Sequence, residues 1–174
     1  MKTVRWFGAL ALVAFVAPAV SAQPEPPKPG PEHEMLKKLE GTWTLTMKAG
    51  GMEHKGTTVY KMELGGLWLG SAMECDLGPA GKFSGKGMDS YDAGKKKFIS
   101  VWFDSMGTTP MVFEGTYDKE KKALTMTGDA PGPDGKPAKW KSVTTYPDAD
   151  TVVFSMYVGD GKEPMFVITY KRKK

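Results

Sequence analysis

From Gly41 to the C-terminus, short runs rich in Val, Thr, Tyr, Phe, Trp and Met, about ten in all, alternate with turn clusters such as Gly50-Gly51, Gly78-Pro79-Ala80-Gly81, Asp92-Ala93-Gly94 and Gly159 to Lys162. Spacing this regular leaves no room for crossover helices, so consecutive runs connect as hairpins in a sandwich or barrel. Cys75 is the only cysteine, which rules out an intrachain disulfide. A domain without such staples relies on packing, and a closed sheet supplies it by removing its own edges. The expected fold is therefore all-β: an up-and-down antiparallel barrel of about ten strands with a short N-terminal helix.

Within Gly41 to Ala49, Trp43, Leu45 and Met47 alternate with Thr42, Thr44 and Thr46, giving that strand one buried and one wet side. We take the Trp43 side as inward and, in later runs, the parity with more large apolar groups. This predicts an interior of Trp43, Leu45, Met47, Tyr60, Met62, Leu69, Met73, Phe113, Tyr117, Leu124, Met126, Trp140, Phe154, Met156, Phe166, Ile168 and Tyr170. Residues 85 to 92 resist assignment, because Gly85 and Gly87 suggest a bulge or sharp bend. Leu67-Trp68-Leu69 and Phe98 to Phe103 are bulky on both faces, so a helix, loop or second subunit is expected over their outer side. An even strand count sets the last strand antiparallel to the first, bringing Arg172 to Trp43 as a cation–π contact at the base. Glu32 to Leu39 suits a short helix whose Met35, Leu36 and Leu39 plug one end.

Lys2 and Arg5 precede an apolar run from Trp6 to Val20 and the small residues of Val20-Ser21-Ala22. The run is short of the roughly 20 residues that span a bilayer, so residues 1–22 read as a secretory signal. A Pro-rich disordered leader follows over 23–31, and 32–174 form a single β-barrel domain. The mature protein is expected in a periplasm or outside the cell, with no transmembrane segment. Because Lys2 and Arg5 leave with the signal, the 24 basic and 20 acidic residues become nearly balanced. Balance and export both argue against nucleic acid as a partner.

The segment Leu39-Glu40-Gly41-Thr42-Trp43, after a short helix and with a basic residue at the far terminus, resembles the opening of calycins, the group of lipocalins and fatty-acid-binding proteins. Ser90-Tyr91-Asp92, Val101 to Thr108, Glu114-Gly115-Thr116-Tyr117-Asp118 and Thr169-Tyr170-Lys171-Arg172 are similar to a bacterial family, exported or cytoplasmic, known as a domain of unknown function. The similarity runs from about Glu32 to Arg172, with Ser90 standing where that family usually has Gly. It implies an exported member with a calycin-like, lipocalin-like barrel and no established activity.

A barrel of about ten strands is wider than side chains readily fill, and barrels of this kind hold small ligands. An apolar interior with several adaptable methionines points to a small hydrophobic or amphipathic molecule, bound without chemistry. The expected wall is Trp43, Tyr60, Met73, Phe113, Met126, Trp140, Phe154 and Tyr170. Arg172 closes the base, and Asp104, directly after Val101-Trp102-Phe103, supplies a polar contact near the mouth. Asp104 equally reads as a turn residue that accepts backbone N–H groups. The wall equally reads as a filled core, in a structural barrel that binds an envelope partner or forms a homodimer. A third reading is a hydrolase or isomerase using a carboxylate desolvated beside aromatics, Asp104 or Glu114. Glu74 and Asp89 also lie within runs, where either face is open to them.

No cofactor or metal site is expected. His33 and His54 fall in the leader helix and the first hairpin turn, so a nucleophile–His–acid set would have to be built from the edge of the chain. Lys37 holds the place of the second ligand that H-E-x-x-H would need after His33-Glu34. Dispersed methionines and Cys75 are soft ligands for Cu(I) but lack an M-x-x-M cluster. Nothing after His54 offers haem an imidazole.

Overall fold

Strands form where the alternating runs predict them, and glycine supplies positive φ at turns such as Gly50-Gly51. The structure is a computed structural model that describes residues 25–174. The expected signal over 1–22 and the first leader residues lie outside them. Helix α1 (Pro31–Lys37) precedes β1 (Gly41–Ala49), β2 (Met52–Glu63), β3 (Trp68–Asp76), β4 (Lys82–Asp92), β5 (Lys97–Asp104), β6 (Met111–Asp118), β7 (Ala123–Pro131), β8 (Pro137–Asp148), β9 (Thr151–Val158) and β10 (Phe166–Arg172). Each strand pairs antiparallel with its chain neighbours, and β10 returns to β1, closing a ten-stranded up-and-down barrel. Among the described residues no helix is long and apolar enough to cross a membrane.

Cross-strand partners share a face, so the register carries the Trp43 side around the ring. Trp43 meets Thr58 and Arg172, Leu45 meets Tyr170, and Ile168 meets Phe154. Every residue of the expected interior lies on this inward parity. The inner packing forms two buried clusters, one around Leu69, Phe98, Phe113, Met126 and Trp140, the other around Trp43, Leu45, Met73 and Ile168. Tyr60, Tyr146, Phe154 and Phe166 pack against both.

The expected bulge at Gly85 and Gly87 does not occur. Strand β4 keeps an even register with β3 and β5 throughout. The two glycines instead make room inside for the Trp102 indole: a Cβ on Gly85 would stand 2.2 Å from Trp102 Cζ2, and one on Gly87 would stand 2.7 Å from Ser71 Oγ. The irregularity falls in β8, between Thr145 and Asp148, where Pro147 has no N–H for the ladder. Gly85→Ala should therefore push the indole aside and lose about 2 kcal/mol by overpacking. Urea unfolding would read the loss and tryptophan emission the displacement; wild-type values for both would contradict the packing.

The base of the barrel is sealed by side chains from both ends of the chain. Trp43, 1% exposed, donates its indole N–H to Leu39 O at 2.8 Å. The Arg172 guanidinium lies 4.2 Å from the centre of the same ring system. Above them, α1 buries Leu36, while Met35 and Leu39 pack partly buried around it. His33 of α1 accepts the Gly30 N–H through Nδ1 at 3.0 Å, one half of a capping box. Among the described residues no helix or loop of the chain covers the outer face of β5 and β6, where Phe103 and Val112 are 46% and 51% exposed.

Candidate functional site

The inward parity brings a carboxylate into the barrel that the alternation rule had left unassigned. Asp89 of β4 faces Leu69 of β3 and Ser100 of β5, and Leu69, at 0% exposure, fixes that side as the interior. Burial pushes the Asp89 pKa up to about 6, against a hydrogen bond from Ser100 that favours the charged form. Tyrosines surround it near the base ends of their strands. Burial also raises Tyr60, Tyr146 and Tyr170 above the ordinary phenol range, and the negative charge of Asp89 adds to the rise at all three. A hydrogen bond between the Tyr60 and Tyr170 hydroxyls pushes the first up and the second down. The Tyr60 and Tyr170 rings meet edge to face at 6.4 Å, and Tyr117 meets Tyr146 in the same manner at 6.0 Å.

Asp89, Ser71, Ser100 and Phe154 are half-buried although they face inward from within closed strands. Asp89 thus combines a desolvated carboxyl, pushed up to about 6, with some remaining exposure on the inner side of the sheet. Thr58 faces the same interior between Trp43 and Met73. Its Oγ1 is buried and, among the described residues, has no hydrogen-bond partner. The lumen is graded. Its rim half presents Met47, Phe83, Trp102, Met111 and Val158 beside His54 and the turn-bound Asp104, whereas its base half presents Asp89, Ser100 and the tyrosines beside Leu69 and Phe98. Such a space accepts an apolar body at one end and exchanges hydrogen bonds at the other.

All ten residues singled out from the sequence take the inward parity, but they do different things. Phe113, Met126 and Trp140 belong to the buried cluster that holds Leu69, the cross-strand partner of Asp89. Met73 and Tyr170 belong to the other, and Tyr60 and Phe154 pack against both. Trp43 and Arg172 hold the base closed. Asp104 is not the free polar contact expected near the mouth. Its Oδ2 accepts the Trp102 indole N–H at 2.8 Å and its Oδ1 accepts the Met106 N–H at 2.9 Å, so its turn uses both oxygens. Glu114 and Glu74 point outward, and Lys95 and Lys97 hold the Glu114 carboxyl below its usual range. His54 lies in β2 opposite Met47, not in the turn.

Asp89 was legible in principle, since Phe83 and Tyr91 share its parity on β4 and outweigh the lone Met88 on the other. A cleft of about 540 Å³ opens on the outer flank between β7, β8 and the turn after β9. Its exposed Asp129 and Lys139 pair with each other at 3.4 Å. It is a solvated surface away from the buried acid, and the lumen is the stronger candidate. Among the described residues no group of His, Cys, Asp and Glu is arranged to hold a metal ion.

A family model described as "Protein of unknown function (DUF1579)" matches residues 28–172. No curated protein matches the chain. Among solved structures, a de novo designed fluorescence-activating β-barrel is similar at 13% identity and a TM-score of 0.47, over 79% of this chain and 96% of that one. A redesigned β-barrel is similar at 18% identity and a TM-score of 0.44, over 80% of this chain and 95% of that one.

Proposed function

This chain belongs to the family described as Protein of unknown function (DUF1579), and we propose that its barrel carries a small amphipathic molecule in its lumen, outside the cytoplasm, without transforming it. The observation that carries this reading is the graded interior, apolar towards the rim and lined at the base by Asp89, Ser100 and tyrosine hydroxyls. Half-buried side chains around Asp89 favour a lumen with room for a guest over one filled by its own residues. Export rests on Lys2, Arg5 and the apolar run that ends before Ala22.

A second reading draws on the same acid. A carboxyl near 6 suits a general base at neutral pH, which favours an isomerase or hydrolase built on Asp89, with Asp104 committed to its own turn. Native mass spectrometry of protein purified from its own host separates the two. Carriage predicts a retained small molecule that is recovered unchanged after prolonged incubation, whereas conversion to a product supports the enzyme. Protein that emerges empty and takes up no alkyl probe would overturn both.

A further inference from the structure

We infer that the lumen selects a cationic head group, an amine or ammonium on an apolar body, with the Asp89 carboxylate as its counter-ion among the tyrosines; this rests on the lumen-binding reading above. The argument begins with what Asp89 lacks. A buried carboxylate is stable as an ion only when a positive group or several donors face it. Here the hydroxyl of Ser100 hydrogen-bonds it, and no ion pair among the described residues includes it.

The inward parity offers two basic side chains, and neither serves. Arg172 spends its donors at the base: Nε on Asp150 Oδ1 at 3.1 Å, one terminal nitrogen on Glu40 O at 2.7 Å, and the other on Lys38 O at 2.6 Å and Ala149 O at 3.3 Å. His54 sits at the rim end of β2 opposite Met47, whereas Asp89 lies towards the base end of β4. His33 of α1, buried at the base beside Tyr91, accepts the Gly30 N–H through Nδ1 and forms no ion pair with Asp89, so among the described residues no basic side chain pairs with this carboxylate.

The surroundings suit a cation better than any other head group. Tyrosine rings attract a positive charge through their quadrupoles, and their hydroxyl oxygens accept N–H bonds. The unpartnered Thr58 Oγ1 adds an acceptor within the same interior. A carboxylate head group would meet Asp89 with like charge and find Arg172 already occupied. A neutral alcohol would hydrogen-bond but leave the charge unbalanced. Discrimination should thus run ammonium over alcohol over carboxylate.

Decylammonium, decanol and decanoate, each kept below its micelle concentration, test this through the emission of the inward-facing Trp43, Trp102 and Trp140 at about pH 7.5, where Asp89 is ionised. Decylammonium should bind at least about tenfold tighter than decanol, with decanoate weakest. Asp89→Asn should reduce decylammonium to about the level that decanol shows on the same variant, and a cooperative urea unfolding transition reports that the variant is folded. Asp89→Glu, which keeps the charge, should keep the preference. Equal wild-type binding of decylammonium and decanol would overturn the head-group inference alone, as would a preference that survives Asp89→Asn. Failure of all three probes to bind the wild type would overturn the lumen reading and this inference with it.

Discussion

Unliganded Asp89→Asn protein should be more stable than the wild type by up to about 3 kcal/mol at pH 7 and no more stable at about pH 3. The unfolded chain loses the Asp89 proton around its ordinary value of 3.8, whereas the barrel holds it until about 6. Between these values the folded state binds the extra proton, so wild-type stability declines as pH rises through this window and levels off above it. The interval is roughly two pK units at about 1.4 kcal/mol each, which sets the upper figure. An amide carries no such charge, so the variant's advantage grows over the same window. Urea midpoints for both proteins at pH 3, 5 and 7 measure it; a difference that does not change with pH would show that Asp89 ionises equally in both states. An acid that weakens the empty fold at neutral pH, where an amide would fit, is what the proposed counter-ion role of Asp89 requires.

Replacing Arg172 with Met should remove about 3 kcal/mol, because it strips hydrogen bonds from the Glu40, Lys38 and Ala149 carbonyls together with the contact over Trp43. Met preserves the apolar stem, so the loss reports the guanidinium itself. Lysine should restore less than half, since one ammonium cannot cover the indole and reach carbonyls from three segments at once. The exposed pairing of Arg172 with Asp150 contributes little by comparison, and Asp150→Asn should cost under about 1 kcal/mol. Denaturant unfolding of the three variants checks the order. A lysine variant as stable as the wild type would mean that charge alone, without the planar fork, holds the base.

The barrel was legible because a period of two survives wherever one face is apolar and the other is threonine or lysine, as in β1. The Trp43 and Arg172 contact followed from an even number of antiparallel strands and needed no detail of packing. What escaped was side-chain supply across the ladder. Gly85 and Gly87 look like breaks in β4 when that strand is read alone. They are sites vacated for Trp102, which sits on the next strand, and no local pattern in β4 announces that. Gly115 and Gly128 answer a different need, since a Cβ at either would strike the backbone of the neighbouring strand at Thr125 or Val112. Asp104 misled because an acid at a strand end looks available, while its bonds to the Trp102 indole and the Met106 amide form only after the turn folds. Asp89 escaped for a related reason: Gly85 and Gly87, taken as a break, interrupt the parity that Phe83 and Tyr91 give it, and the even register with β3 and β5 restores it.

The seam between β1 and β10 also fixes an order of events during synthesis. Every other hairpin can zip as it leaves the ribosome, but the first strand must wait for the last residues to be translated before its free amides find partners. A nascent chain carries that raw edge until then. A polypeptide cut short before Phe166 would keep two such edges for good, on β1 and on β9, and truncated copies would join one to the next in an open chain where the full-length protein closes on itself.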